Sequence, residues 1–182
     1  MKTGLVLVDI QNDYFPGGRM ELVGISAAGR KARELLAVFR DNGWPTFHIQ
    51  HISVREGATF FLPDTPGVAI HDCIKPHPDE TVVQKHYPNS FRDTVLLEEL
   101  KKIQVEQLAI CGAMSHMCID ATVRAGFDLG FKCQVIEDAC ATRALEFGGR
   151  TIAARQVHGA FMAALGSAYA NVLSLAAFKS SL

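Results

Sequence analysis

What this sequence lacks narrows its function before any motif is read. Its charges nearly cancel, to a formal net of −1 at pH 7, and the basic residues are scattered rather than gathered into a stripe. That pattern argues against a nucleic-acid partner. There is no apolar stretch of about 20 residues with which to span a bilayer. The opening MKTGLVLVDI, one lysine and a short apolar run closed by Asp9, does not read as a secretory leader. A cytoplasmic location and a small-molecule partner are the expectations. No Cys-x-x-Cys pair occurs among the five cysteines, Cys73, Cys111, Cys118, Cys133 and Cys140. This argues against the common zinc and redox sites, and the odd count argues against a disulfide framework. Gly-x-Gly-x-x-Gly is missing after the first apolar run, where Asp9-Ile10-Gln11-Asn12-Asp13 stands, so a dinucleotide-binding turn is excluded. Repeats, low-complexity tracts and linkers are also missing. The 182 residues, 48% of them hydrophobic, are therefore expected to form one domain over 1–182.

What is present is an alternation of short β-rich runs with longer helical patterns. Leu5–Val8, Thr46–Gln50, Thr81–Val83, Leu108–Cys111 and Cys133–Ile136 read as strands, with Ala168–Leu173 as a further edge strand. Ile25–Asp41 carries Ile25, Ala28, Ala32, Leu35, Leu36 and Phe39 on one stripe and stops at Asn42-Gly43, as a helix does. Helices are also predicted over Thr94–Lys102, His116–Leu129 and Leu145–Leu165. Such alternation predicts a doubly wound α/β fold around a mainly parallel sheet. Ser53 to Asp79, with Pro63, Pro66, Pro76 and Pro78 and little periodicity, reads as a long surface excursion of the functional kind.

In open parallel sheets, ligands bind at the carboxyl ends of the strands. Three reactive side chains fall at such ends: Asp9 after the first strand, Lys85 after the third, and Cys118 beyond the turn Gly112-Ala113-Met114-Ser115 that follows the fourth. Each has an ordinary reading alone, as a turn acid, a solvated cation and a core thiol. Together they suggest a nucleophile. A cysteine at a helix start beside a lysine is expected to favour thiolate. An aspartate can take the thiol proton and return it to a leaving group. Backbone N–H groups of the same turn can hold an oxyanion. Chain neighbours of these positions, Gln11, Phe15, Phe91, His116 and Met117, are the expected substrate-binding walls, with His51 touching substrate from the end of the second strand.

The segments LVLVDIQNDYFPGG, VVQKHYPNSFRDTVLLEEL and LAICGAMSHMCIDATVRAGFDLGF resemble, in order, three blocks of the isochorismatase-like cysteine hydrolases. The resemblance implies a three-layer α/β/α sandwich and a catalytic Asp9, Lys85 and Cys118. It also implies a non-proline cis peptide from Ala113 to Met114 that turns the Met114 and Cys118 N–H groups toward an oxyanion. Nicotinamidase-like members place an aspartate, a spacer and a histidine at the end of the second strand to bind a metal. Here that stretch is Phe47-His48-Ile49-Gln50-His51, with no aspartate, so no metal and no cofactor are expected, and His48 and His71 are read as hydrogen-bonded structural groups. His116 departs from the small polar residue or aspartate often found there. The implied activity is hydrolysis of a small amide, carbamoyl or related C–N substrate through a covalent Cys118 intermediate. Vinyl-ether hydrolysis of the isochorismatase type and a non-catalytic binding module on the same fold are the alternatives. An Ala- and Leu-rich tail, Phe161 to Phe178, suits either a second subunit, making a homo-oligomer, or the chain's own sheet.

Overall fold

In the computed structural model, which describes residues 1–182, six parallel strands run in the order β3-β2-β1-β4-β5-β8. They are β1 (Thr3–Val8), β2 (Thr46–His51), β3 (Thr81–Lys85), β4 (Gln107–Ala113), β5 (Lys132–Ala141) and β8 (Asn171–Leu173). The helices are α1 (Ile25–Asp41), α2 (Leu96–Lys102), α3 (Asp120–Asp128), α4 (Ala154–Ala168) and α5 (Leu175–Ser180). From β1 the chain steps outward to β2 and β3, then returns to the other side of β1 and continues to β5 and β8. Right-handed crossovers taken in opposite directions put their helices on opposite faces, which makes the three-layer sandwich. α1 and α5 share one face, where Phe39 stacks on Phe178 at 6.0 Å. α3 and α4 pack together. Leu5, Val6, Leu7 and Val8 are fully buried, as expected of a strand covered on both sides.

The strand order reverses between β1 and β4, and the crevice beside such a switch point is where α/β sheets bind ligands. Gly112 makes the close approach there possible. Its φ is +126°, and a β-carbon on it would collide with the Val8 carbonyl oxygen. Only glycine combines that conformation with that contact. The loop after β1 is tied to the long excursion by buried Asp13, whose carboxylate accepts from the N–H groups of Phe61 at 2.6 Å and Arg19 at 3.2 Å. Gln11 makes a second tie, donating to the carbonyls of His51 at 2.9 Å and Val68 at 2.7 Å and accepting from the His51 N–H at 2.8 Å.

Two expectations need correction. The helix expected over Leu145–Leu165 begins only at Ala154. Before it, β6 (Leu145–Phe147) pairs antiparallel with β7 (Arg150–Ile152) around Gly148 and Gly149, both at positive φ, 57° and 72°. Two successive left-handed residues match a tight hairpin turn and break a helix. The helix expected over His116–Leu129 opens instead with a π-helical turn, Ser115–Ile119, and continues as α3. The tail's Met162, Leu165, Leu175 and Phe178 are buried within the chain's own core. No helix is long and apolar enough to cross a membrane.

Candidate active site

Asp9 directly follows β1 in a left-handed conformation, φ 51°, and its side chain is fully buried. Lys85, the last residue of β3, is equally buried and lies with Nζ 3.0 Å from Asp9 Oδ2. The same ammonium donates to the Pro88 carbonyl at 2.9 Å. Neither Asp9 oxygen has a directed hydrogen bond, so Lys85 is the compensation for a carboxylate held away from water. Cys118 sits on the π-helical turn after β4, only 4% exposed. Its sulfur, an Asp9 oxygen and a His51 ring nitrogen all lie within 4.8 Å of one another. The Ala113–Met114 peptide preceding this turn is cis.

Ionisation follows from burial. Desolvation lowers the Lys85 pKa, but the charge of Asp9, joined by that of Cys118 only when the thiol is ionised, outweighs it, and the net shift is upward, which keeps the ammonium. For Cys118, burial raises the pKa, Asp9 raises it further, and Lys85 opposes only in part. The resting group is therefore a neutral thiol. This corrects the expectation of a thiolate, because the loss of solvation and the carboxylate together exceed one lysine. Burial also lowers the pKa of His51, against the pull of Asp9.

Above these groups opens a cavity of about 460 Å³. His51 and Met117 line it, as does Met114. Gln11, Phe15, Phe91 and His116, expected to contact substrate, are not among its lining residues. Gln11 is spent on the two loop ties. Phe15 stacks on His71 at 3.5 Å and packs over Gly29, and Phe91 stacks on Phe131 at 6.1 Å. His116 points to the other side of its turn, bonded to Thr142 Oγ1 at 2.6 Å and edge-on to Phe161. Sequence reasoning missed Tyr14, Phe60 and Arg55 on one side and His86, Tyr87 and Pro88 on another. The available signal was their position, since all six lie in loops that leave or overlie the carboxyl ends of β1, β2 and β3.

Asp9, His51 and Cys118 are ligand types that suit a borderline divalent metal such as zinc, but the carboxylate already holds the Lys85 ammonium. His48 lies away from them, with Nε2 2.9 Å from Glu80 Oε2. His71 is engaged by the Cys73 N–H through Nδ1.

An isochorismatase domain model matches residues 3–168. The chain is 50% identical over 178 residues to YddQ, an isochorismatase family protein of Bacillus subtilis, spanning 98% of this chain and 99% of that one. A crystal structure from Oleispira antarctica, provisionally named an isochorismatase hydrolase, superposes with a TM-score of 0.94 at 49% identity, covering 97% of this chain and 95% of the other. RutB, a ureidoacrylate amidohydrolase of Azorhizobium caulinodans, is 25% identical over 171 residues, 76% of this chain and 75% of its own.

Proposed function

The chain belongs to the isochorismatase family, and on that premise we propose that it is a cysteine hydrolase. Its substrate is a small amide, carbamoyl or related C–N compound, cleaved through a covalent intermediate on Cys118. The observation that carries this reading is the buried Asp9–Lys85 pair set beside a buried thiol under a cavity of small-molecule size. The amidohydrolase among the relatives supports the C–N class.

The neutral thiol sets the order of events. Asp9 takes the Cys118 proton as the sulfur attacks the carbonyl carbon, so deprotonation and attack are coupled and no free thiolate is stored. The carbonyl electron pair moves to oxygen, which the N–H groups of Met114 and Cys118 receive. As the C–N bond breaks, Asp9 returns the proton to the nitrogen, which leaves as amine or ammonia. Water then adds to the thioester, Asp9 takes its proton, and the C–S bond breaks with the thiol restored. One amide and one water give one acid and one amine. Lys85 holds the Asp9 carboxylate in position and offsets its charge throughout.

The test is a panel of primary amides and N-carbamoyl compounds, followed by ammonia release and by intact mass of acid-quenched enzyme. An acyl adduct on Cys118, and loss of turnover in a natively folded Cys118→Ala, are the expected results. Full activity in Cys118→Ala would end the reading.

A further inference from the structure

Thirteen residues line the cavity over Cys118; none is acidic, and three, His51, Arg55 and His86, are basic. The charges beneath the cavity cancel, because Asp9 is matched by Lys85. The balance at the cavity wall is therefore set by the guanidinium charge of Arg55. The arginines that pair with carboxylates are Arg40, Arg92 and Arg124, and Arg55 is not among them. An exposed loop arginine usually serves only solvent. This one lines the cavity, lacks a partner, and projects its positive charge as far as His51, where it adds to a downward pKa shift led by burial. His86 is pinned nearby, its Nδ1 2.9 Å from the carbonyl of Ile52, the residue after β2. Tyr14, Phe60, Met114 and Met117 give the rest of the lining an apolar character.

We infer that the substrate carries a carboxylate, or an anionic group of similar shape, at the end remote from the scissile C–N bond, and that Arg55 selects it. This rests on the cysteine-hydrolase reading of the same site. A planar guanidinium offers two parallel donors to a carboxylate, while a cationic substrate meets an unopposed like charge. The short apolar body between the two ends packs against Tyr14, Phe60 and the two methionines.

Iodoacetate and iodoacetamide test this without knowledge of the substrate, since they alkylate the same sulfur with loss of iodide and differ in charge. Rate constants at Cys118 are read by site-resolved mass spectrometry, and the iodoacetate-to-iodoacetamide ratio is compared with that of glutathione. The expected ratio at Cys118 is about tenfold higher at low salt, as for a focused positive field. In Arg55→Glu it falls to the glutathione value or below, in Arg55→Lys part of it persists, and in Arg150→Glu on the β6–β7 hairpin it is unchanged. A ratio in Arg55→Glu equal to that of the unaltered protein overturns the anion inference and leaves the nucleophile reading standing. A Cys118 ratio in the unaltered protein no higher than that of glutathione overturns it as well, and absence of any acyl adduct on Cys118 across the amide panel overturns both readings.

Discussion

The Lys85 ammonium lies 3.0 Å from the Asp9 carboxylate, and both side chains are inaccessible to solvent. Each is the other's closest opposite charge, so removing either alone leaves a poorly compensated ion in the interior. This pair links the stability of the fold to the chemistry of the site.

Replacing Lys85 with Met should destabilise the protein by roughly 3–5 kcal/mol, the usual cost of breaking a buried pair, and Asp9→Asn should cost a comparable amount. The double variant should recover much of the loss. Urea denaturation of the three variants gives the coupling energy, and additive losses would show that the two charges are solvated independently.

The direction of the Cys118 shift predicts opposite effects of the two partners on alkylation of the resting thiol. Asp9 and burial raise its pKa and Lys85 lowers it. Iodoacetamide labelling at pH 8 should therefore be faster in Asp9→Asn and slower in Lys85→Ala than in the unaltered protein, although both variants lose turnover. Site-resolved mass spectrometry reads both rates, and equal rates in all three proteins would contradict the coupling.

Acid stability should depend on Glu80. Its burial favours the neutral acid, but hydrogen bonds from Arg40, the His77 N–H and His48 outweigh this and hold its pKa down at about 2. A carboxyl depressed in the folded state contributes stability above its unfolded pKa of about 4.3 and loses it as pH falls toward the folded value. Glu80→Gln should lower stability at pH 7 by about 1–3 kcal/mol and flatten the acid limb between about pH 4.5 and 2. Thermal melts across that window check it; parallel curves for the two proteins would remove Glu80 from the account.

Gly112→Ala should be among the most damaging single substitutions. It forces a side chain into positive φ and against the Val8 carbonyl at the centre of the sheet. A loss of about 3 kcal/mol or more, or failure to fold, is expected, whereas Gly17→Ala, at positive φ with open space around it, should cost about 1 kcal/mol. Midpoints of chemical denaturation compare them, and similar losses at both sites would deny the close approach.

Much of this molecule is written locally. β1, β2 and α1 follow from apolar runs and a 3.6-residue stripe, and the polar residues that interrupt strand ends, Asp9 and Lys85, mark the rim where ligands bind. The hairpin was legible only in Gly148-Gly149, a signal hidden by the helical periodicity downstream. The walls of the cavity were not legible, because chain neighbours on a turn face different ways. His116 and Cys118 are two residues apart, yet one meets Thr142 and the other lies beside Asp9.

The sequence by itself determined the parallel α/β architecture, the family and the three reactive side chains at strand ends, since each depends on residue type and spacing along the chain. Tertiary structure decided that the Cys118 thiol rests neutral, that Arg55 and Tyr14 face the cavity, and that Phe15 and Phe91 do not. Those properties depend on which groups from distant segments exclude water or bring charge to one place, and the desolvation and Coulomb energies that follow are fixed by distance in space rather than by separation in sequence.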